Sequence, residues 1–142
     1  MNEYTYNEID INHTERFKIV ITQEMEDCFR HITGDLNPMH SDDEFVKEVS
    51  SGKFKKHICF GMLTASLYST FAGMYLPGKY SLIHSLESVD FKMPVYVGDE
   101  LTVSGIVKEK QDGLNLIIID IIIRNQDGKV VSKTRMKNLV QK

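Results

Sequence analysis

No stretch of this sequence approaches the roughly 20 consecutive apolar residues that a membrane-crossing helix needs. The first residues, Met1 to Ile11, are polar and acidic and carry no apolar run behind a positive flank, which reads against a secretory signal. A cytoplasmic location is the default expectation. There is no internal repeat, no low-complexity tract and no linker rich in Pro, Gly or Ser. Cysteine is scarce: Cys28 and Cys59 stand in no metal-binding or redox spacing, so both are expected to be buried thiols in a reducing compartment. Charge of one sign is also lacking. The net charge of −3 leaves no electrostatic footprint for a nucleic-acid or polyanion partner. The one dense basic patch, Lys53, Lys55 and Lys56, reads as a solvated loop.

What is present suffices for a globular domain. At 142 residues, 42% of them hydrophobic, the chain can bury a core without disulfides or metals, and one domain over 1–142 is the simplest account. Residues 1–14 are expected to be a loosely ordered leader. A β-prone run follows at 16–21, and Thr22 offers a helix cap. In residues 23–33, Met25, Cys28, Phe29 and Ile32 fall at helical spacing, so that face is expected to pack inward, with Gly34 ending the helix. Residues 42–49 predict a short helix. Residues 61–75 predict a longer one, apolar almost all round and rich in small residues, and therefore buried; Pro77 and Gly78 stop it.

The second half reads as four strands at 81–91, 100–110, 114–124 and 129–140. Asp112-Gly113 and Asp127-Gly128 between β-branched runs are strong hairpin signals. These strands are expected to form an antiparallel meander joined by the run at 16–21. One buried helix followed by long antiparallel strands predicts an α+β fold with the sheet wrapped around the helix. Alternation nearly vanishes over Leu116 to Ile123, which predicts a strand covered on both faces. The helix can cover one face; a loop or another subunit is expected on the other.

The chemistry-bearing stretch is Thr33-Gly34-Asp35-Leu36-Asn37-Pro38-Met39-His40. A carboxylate and an imidazole on a Gly/Pro-shaped loop could converge on one small molecule. Histidine changes protonation near neutral pH, and aspartate can hold a water or take its proton. Pro38 stiffens the loop and Asn37 can bond the backbone of the turn. By itself the pattern reads first as an Asx-turn with an exposed histidine. The second feature is Gly61 at the start of the long helix, where unpaired N–H groups and the positive end of the helix dipole could hold a developing enolate oxygen.

Together these segments resemble the MaoC-like (R)-specific enoyl-CoA hydratases. Thr33-Gly34-Asp35-x-Asn37-Pro38-x-His40 is similar to that family's hydratase motif, and Gly61-Met62-Leu63-Thr64-Ala65-Ser66-Leu67 to the start of its central helix. Leu76-Pro77-Gly78 and Phe91-Lys92-x-Pro94-Val95-x-Val97-Gly98-Asp99-Glu100 match its single-domain members. The resemblance implies a hot-dog fold, homodimers or larger assemblies with one continuous sheet, and reversible syn addition of water to a trans-2-enoyl thioester, giving the (R)-3-hydroxyacyl product. It implies that Asp35 and His40 bind and activate the water and pass the proton at C2. The N–H of Gly61 would polarise the thioester carbonyl, and Asn37, Phe60, Met62 and Ser69 would contact the substrate. It implies no metal and no cofactor other than coenzyme A within the substrate. One departure stands out: Phe60 occupies the place where single-domain hydratases of this family often carry a histidine, which makes the thioester end of the pocket more apolar and leaves the identity of the substrate open. The alternatives are a dehydratase acting on an acyl-carrier-protein thioester, a hot-dog thioesterase, and a non-catalytic acyl-binding module.

Overall fold

A computed structural model describes residues 1–142. Strand β1 (Thr14–Val20) leads into helix α1 (Gln23–Thr33), helix α2 (Asp43–Val49) and the long helix α3 (Gly61–Met74). Strands β2 (Ser81–Phe91), β3 (Glu100–Gln111), β4 (Leu116–Arg124) and β5 (Val130–Val140) follow. All pair antiparallel in one five-stranded sheet, ordered β1-β3-β4-β5-β2. The architecture is α+β.

The strands form over the runs that predict them, and the β3–β4–β5 hairpins follow the turn residues. The order differs from a simple meander in one respect. β2 pairs with β5 rather than β3, and β1 takes the place beside β3. The connection 92–99 therefore carries the chain from one sheet edge to the far side. It passes the start of α3, where the Cys59 N–H donates to the Val95 carbonyl at 2.8 Å.

The core lies between α3 and the concave face of the sheet. Leu63, Leu67, Tyr68, Phe71 and Ala72 of α3 meet Leu101, Val103 and Val107 of β3, alternate isoleucines 117 to 123 of β4, and Val131, Met136 and Val140 of β5. The Tyr68 hydroxyl and the Ser132 hydroxyl bond at 2.6 Å, which satisfies two buried polar groups. Gly105 allows a close approach of helix and sheet: a Cβ there would lie 2.5 Å from Phe71 Cζ.

Three expectations need correction. The first residues are not a loose leader. Asn2 and Tyr4 donate backbone bonds to Met74 and Pro77, Tyr6 donates to Lys142, and Tyr6 and Ile9 belong to the core. Helix α3 is not buried all round, because Met62, Ser66, Ser69 and Thr70 form an exposed stripe. Helix α1 does not pack through Cys28 and Ile32, which are exposed; it turns Met25, Glu26 and Phe29 inward. Its caps do follow the sequence: the Thr22 side chain accepts from Met25 N–H, and Gly34 closes the helix with φ 69°. On the outward face of β4, Leu116 and Ile118 are buried within the chain, Asp120 is engaged by Arg135 of β5 at 2.7 Å, and Ile122 is half-buried.

Candidate active site

The segment 34–61 runs from the end of α1 to the start of α3. Its first turn is shaped by its own side chains. The Asn37 N–H donates to Asp35 Oδ1 at 2.9 Å, and the Met39 N–H donates to Asn37 Oδ1 at 3.0 Å. These Asx bonds, with Pro38 opening a single helical turn, set the path from Asp35 to His40. Asp35 and Asn37 remain exposed, and Asp35 Oδ2 makes no bond within the chain.

His40 is half-buried and held on three sides. Its Nδ1 lies 2.7 Å from the Ile58 carbonyl. A carbonyl only accepts, so Nδ1 carries the proton, and in the neutral ring Nε2 is left with a free lone pair. The ring rests on Phe60, with centroids 4.1 Å apart. The His40 backbone carbonyl accepts from Arg30 Nη2 at 2.9 Å. Arg30 also stands over the Phe60 ring, 5.8 Å from its centroid.

The start of α3 is open. Phe60 provides no side-chain cap, and the Gly61 N–H has no acceptor in the chain. A side chain at Gly61 would meet the Phe91 ring at 3.3 Å. His40 and Gly61 both line a cavity of about 820 Å³, with Ile58, Thr64, Phe91, Met93, Pro94 and Val95 among its walls. Lys53, Lys92, Lys129, Asp99 and Asp127 also line it. No group of three His, Cys, Asp or Glu side chains is arranged to hold a metal ion, and no helix is long and apolar enough to cross a membrane.

Of the residues singled out in the sequence, the structure brings His40 and Gly61 to one cavity. Asp35 and Asn37 sit on the loop outside its lining. Asp35 and His40 do not hydrogen-bond to each other. Phe60 is buried beneath the His40 ring and does not line the cavity, so its effect is support rather than an apolar wall. Met62 and Ser69 lie on the exposed stripe of α3, also outside the lining. The Lys53 end of the basic patch does reach the cavity, its ammonium 5.3 Å from the Phe54 ring centroid.

Sequence reasoning missed three participants. Arg30 and the Ile58 carbonyl fix His40, and Glu26 is a buried carboxyl whose Oε1 accepts the Phe60 N–H at 3.2 Å. Burial pushes the Glu26 carboxyl above its usual range, against the opposing effects of the Cys59 thiol, the Phe60 N–H, and the neighbouring His40 and Arg30. Burial also raises the Cys59 thiol, strengthened by the neighbouring Glu26. The i, i+4 pairing of Glu26 with Arg30 was the available signal, but on a helix that reads as a surface ion pair.

Comparison with known proteins places this geometry. The MaoC like domain matches residues 6–122. An (R)-specific enoyl-CoA hydratase of Aeromonas caviae is 45% identical over 75 residues, 53% of this chain and 53% of the relative. A mitochondrial 3-hydroxyacyl-[acyl-carrier-protein] dehydratase of Solanum lycopersicum is 36% identical over 73 residues, 51% of this chain and 41% of the relative. The chain thus spans about half the length of the curated relatives it matches. Among solved structures, an (R)-hydratase from A. caviae described as involved in PHA biosynthesis superposes with a TM-score of 0.84 at 28% identity, covering 93% of this chain and 97% of the other. The R-hydratase PhaJ1 of Pseudomonas aeruginosa gives 0.86 at 27%, covering 96% and 84%. The sheet wrapped on α3 is accordingly the hot-dog fold, and with most of its length matched the chain belongs to the MaoC-like domain family.

Proposed function

We propose that the protein catalyses reversible syn hydration of a trans-2-enoyl thioester, carried on coenzyme A, to the (R)-3-hydroxyacyl thioester. The observation that carries this reading is the pairing of His40, with its Nε2 lone pair free, and the unpaired Gly61 N–H on one cavity. A water held between Asp35 Oδ2 and His40 Nε2 adds its hydroxyl oxygen to C3 as one of its protons is taken by His40 Nε2. The C2=C3 electron pair moves onto the thioester carbonyl oxygen, which accepts the Gly61 N–H. The proton taken from the water then passes to C2 on the same face. These steps use acid–base and hydrogen-bonding groups of the chain itself; coenzyme A enters as part of the substrate.

Asn37 holds the Asp35 turn, and Phe60 supports His40. Met62 and Ser69 would reach substrate through a homodimer or larger assembly. The exposed α3 stripe and the exposed Leu82, Leu86 and Phe91 on the edge strand β2 support such pairing. The reading takes 1–142 as one MaoC-like unit acting in the cytoplasm. A second reading, dehydration on an acyl-carrier-protein thioester, is favoured by the likeness to the Solanum dehydratase. Crotonyl thioesters on coenzyme A and on carrier protein test both. Loss of enoyl absorbance without thiol release is the expected result, and the faster carrier identifies the substrate. Thiol release would instead indicate a thioesterase, and binding without turnover an acyl-binding module.

A further inference from the structure

Glu26 sits on α1 between the exposed Glu24 and Asp27, yet its own side chain is 0% exposed. Burying a carboxyl is costly unless its oxygens are bonded. Here Oε1 accepts the Phe60 N–H, while Oε2 makes no hydrogen bond at all. An apolar side chain of similar volume would fill this place at less cost, so packing does not explain a carboxyl. A buried polar group that is only half satisfied calls for another explanation.

That explanation lies in what Glu26 holds. The Phe60 N–H belongs to the residue immediately before Gly61. The two preceding residues are pinned as well: the Cys59 N–H on the Val95 carbonyl at 2.8 Å, and the Ile58 carbonyl on His40 Nδ1 at 2.7 Å. Glu26 completes this series and fixes the last peptide before α3. The Phe60 ring is packed by Phe29, with centroids 5.2 Å apart, and in turn carries the His40 ring at 4.1 Å. Helix α1 therefore grips His40 twice, directly through Arg30 and indirectly through Glu26 and Phe60.

We propose that Glu26 is a positioning residue: by accepting the Phe60 N–H it fixes the Phe60–Gly61 turn, and so sets the His40 ring and the Gly61 N–H relative to one another across the cavity. The inference rests on the hydratase reading above. The groups facing Glu26 are Cys59, His40 and Arg30. Burial favours the neutral acid, which suits this place. A carboxylate at the start of α3 would oppose the positive helix end that a developing enolate needs. An acceptor oxygen is what the site requires, and glutamine supplies one.

The test compares Glu26→Gln with Glu26→Leu, by steady-state hydration of crotonyl-coenzyme A and by NMR of the His40 ring, assigned with His40→Gln. Glu26→Leu is expected to lower kcat about tenfold or more while KM stays within about threefold, because small misplacement of reacting groups acts on the chemical step. The His40 ring resonances, shifted by the Phe60 ring current, should move in the same variant. Glu26→Gln is expected to keep kcat within about threefold, with an unchanged pH–rate profile and unmoved resonances. A folded Glu26→Leu protein with parent-like kcat and resonances overturns the proposal. If Glu26→Leu does not fold, Glu26→Gln decides alone: parent-like values support the proposal, and a loss above about tenfold or displaced resonances overturns it. Should the parent leave crotonyl-coenzyme A untouched, it is the hydratase reading that fails, and the His40 resonances still decide whether Glu26 seats the ring.

Discussion

Between Thr22 and Phe60 only Glu26, Val46, Cys59 and Phe60 are buried, whereas every second residue of β3 from Leu101 to Val107 is buried and six of the nine positions of β4 are buried. The site-bearing segment even leaves Ile32 and Leu36 exposed, at 80% and 77%. It is docked by a few directed polar bonds: Arg30 to the His40 carbonyl, His40 to Ile58, Glu26 to Phe60, and Asp43 to His57. The sheet and α3 are held instead by apolar burial, which is non-directional and summed over many contacts. This difference assigns separate tasks. Stability resides in the β half and α3; positioning resides in 22–60.

If that division is right, changes in the two regions should separate activity from stability. The largest effect is expected at the dyad. Asp35→Ala and His40→Gln should each lower kcat by about a hundredfold to ten-thousandfold, and the double variant should lose little more than either alone. Melting temperature should barely move, since Asp35 is exposed and its replacement leaves no cavity. A large fall in melting temperature with either variant would break the comparison. The converse experiment is Ile119→Ala, which empties a position with 0% exposure. It should cost about 2–5 kcal/mol in denaturant unfolding while the folded enzyme keeps its kcat. Gly105→Ala follows. Its Cβ would press on Phe71 Cζ and Cε1, and the strain should cost about 1–3 kcal/mol, read from the same unfolding curves.

The smallest effect concerns how the segment is tied down. His57 donates its backbone N–H and turns its ring Nδ1 to Asp43 Oδ1, at 2.8 and 2.6 Å, and these bonds hold the Asp43 carboxyl below its usual range. A depressed folded-state pKa contributes stability above the unfolded value of about 3.8 and loses it as pH falls through the folded value. Asp43→Asn should therefore lower melting temperature slightly near pH 7, and the gap to the parent should close in acid below that range. A gap that persists at low pH would mean that the carboxylate charge is not what anchors residues 50–58.

Much of the fold was legible because its signals are local. Thr22 and Gly34 bound α1, and runs bounded by turn residues mark β2 to β5. Asp112-Gly113 and Asp127-Gly128 place the hairpins, and the Asp-x-Asn-Pro-x-His pattern marks the residues proposed for the chemistry. Helical spacing failed on α1, where four apolar positions suggested one inner face. The chain there has little to bury, so polar docking through Glu26 and Arg30 overrode the apolar stripe. Phe60 was read as a pocket wall because sequence order sets it beside Gly61, yet its side chain turns back under His40.

By itself, then, the sequence determined the strands, the central helix, the turns and the candidate residues for the proposed chemistry, since each depends on neighbours a few positions apart. Only the tertiary structure decided that β2 crosses to pair with β5, that Cys28 faces outward while Glu26 is enclosed, and that His40 keeps its proton on Nδ1. Those outcomes rest on contacts between distant residues, such as Glu26 with Phe60 and His40 with Ile58. Periodicity marks which side of an element turns from water, and carries no information about what will be waiting there.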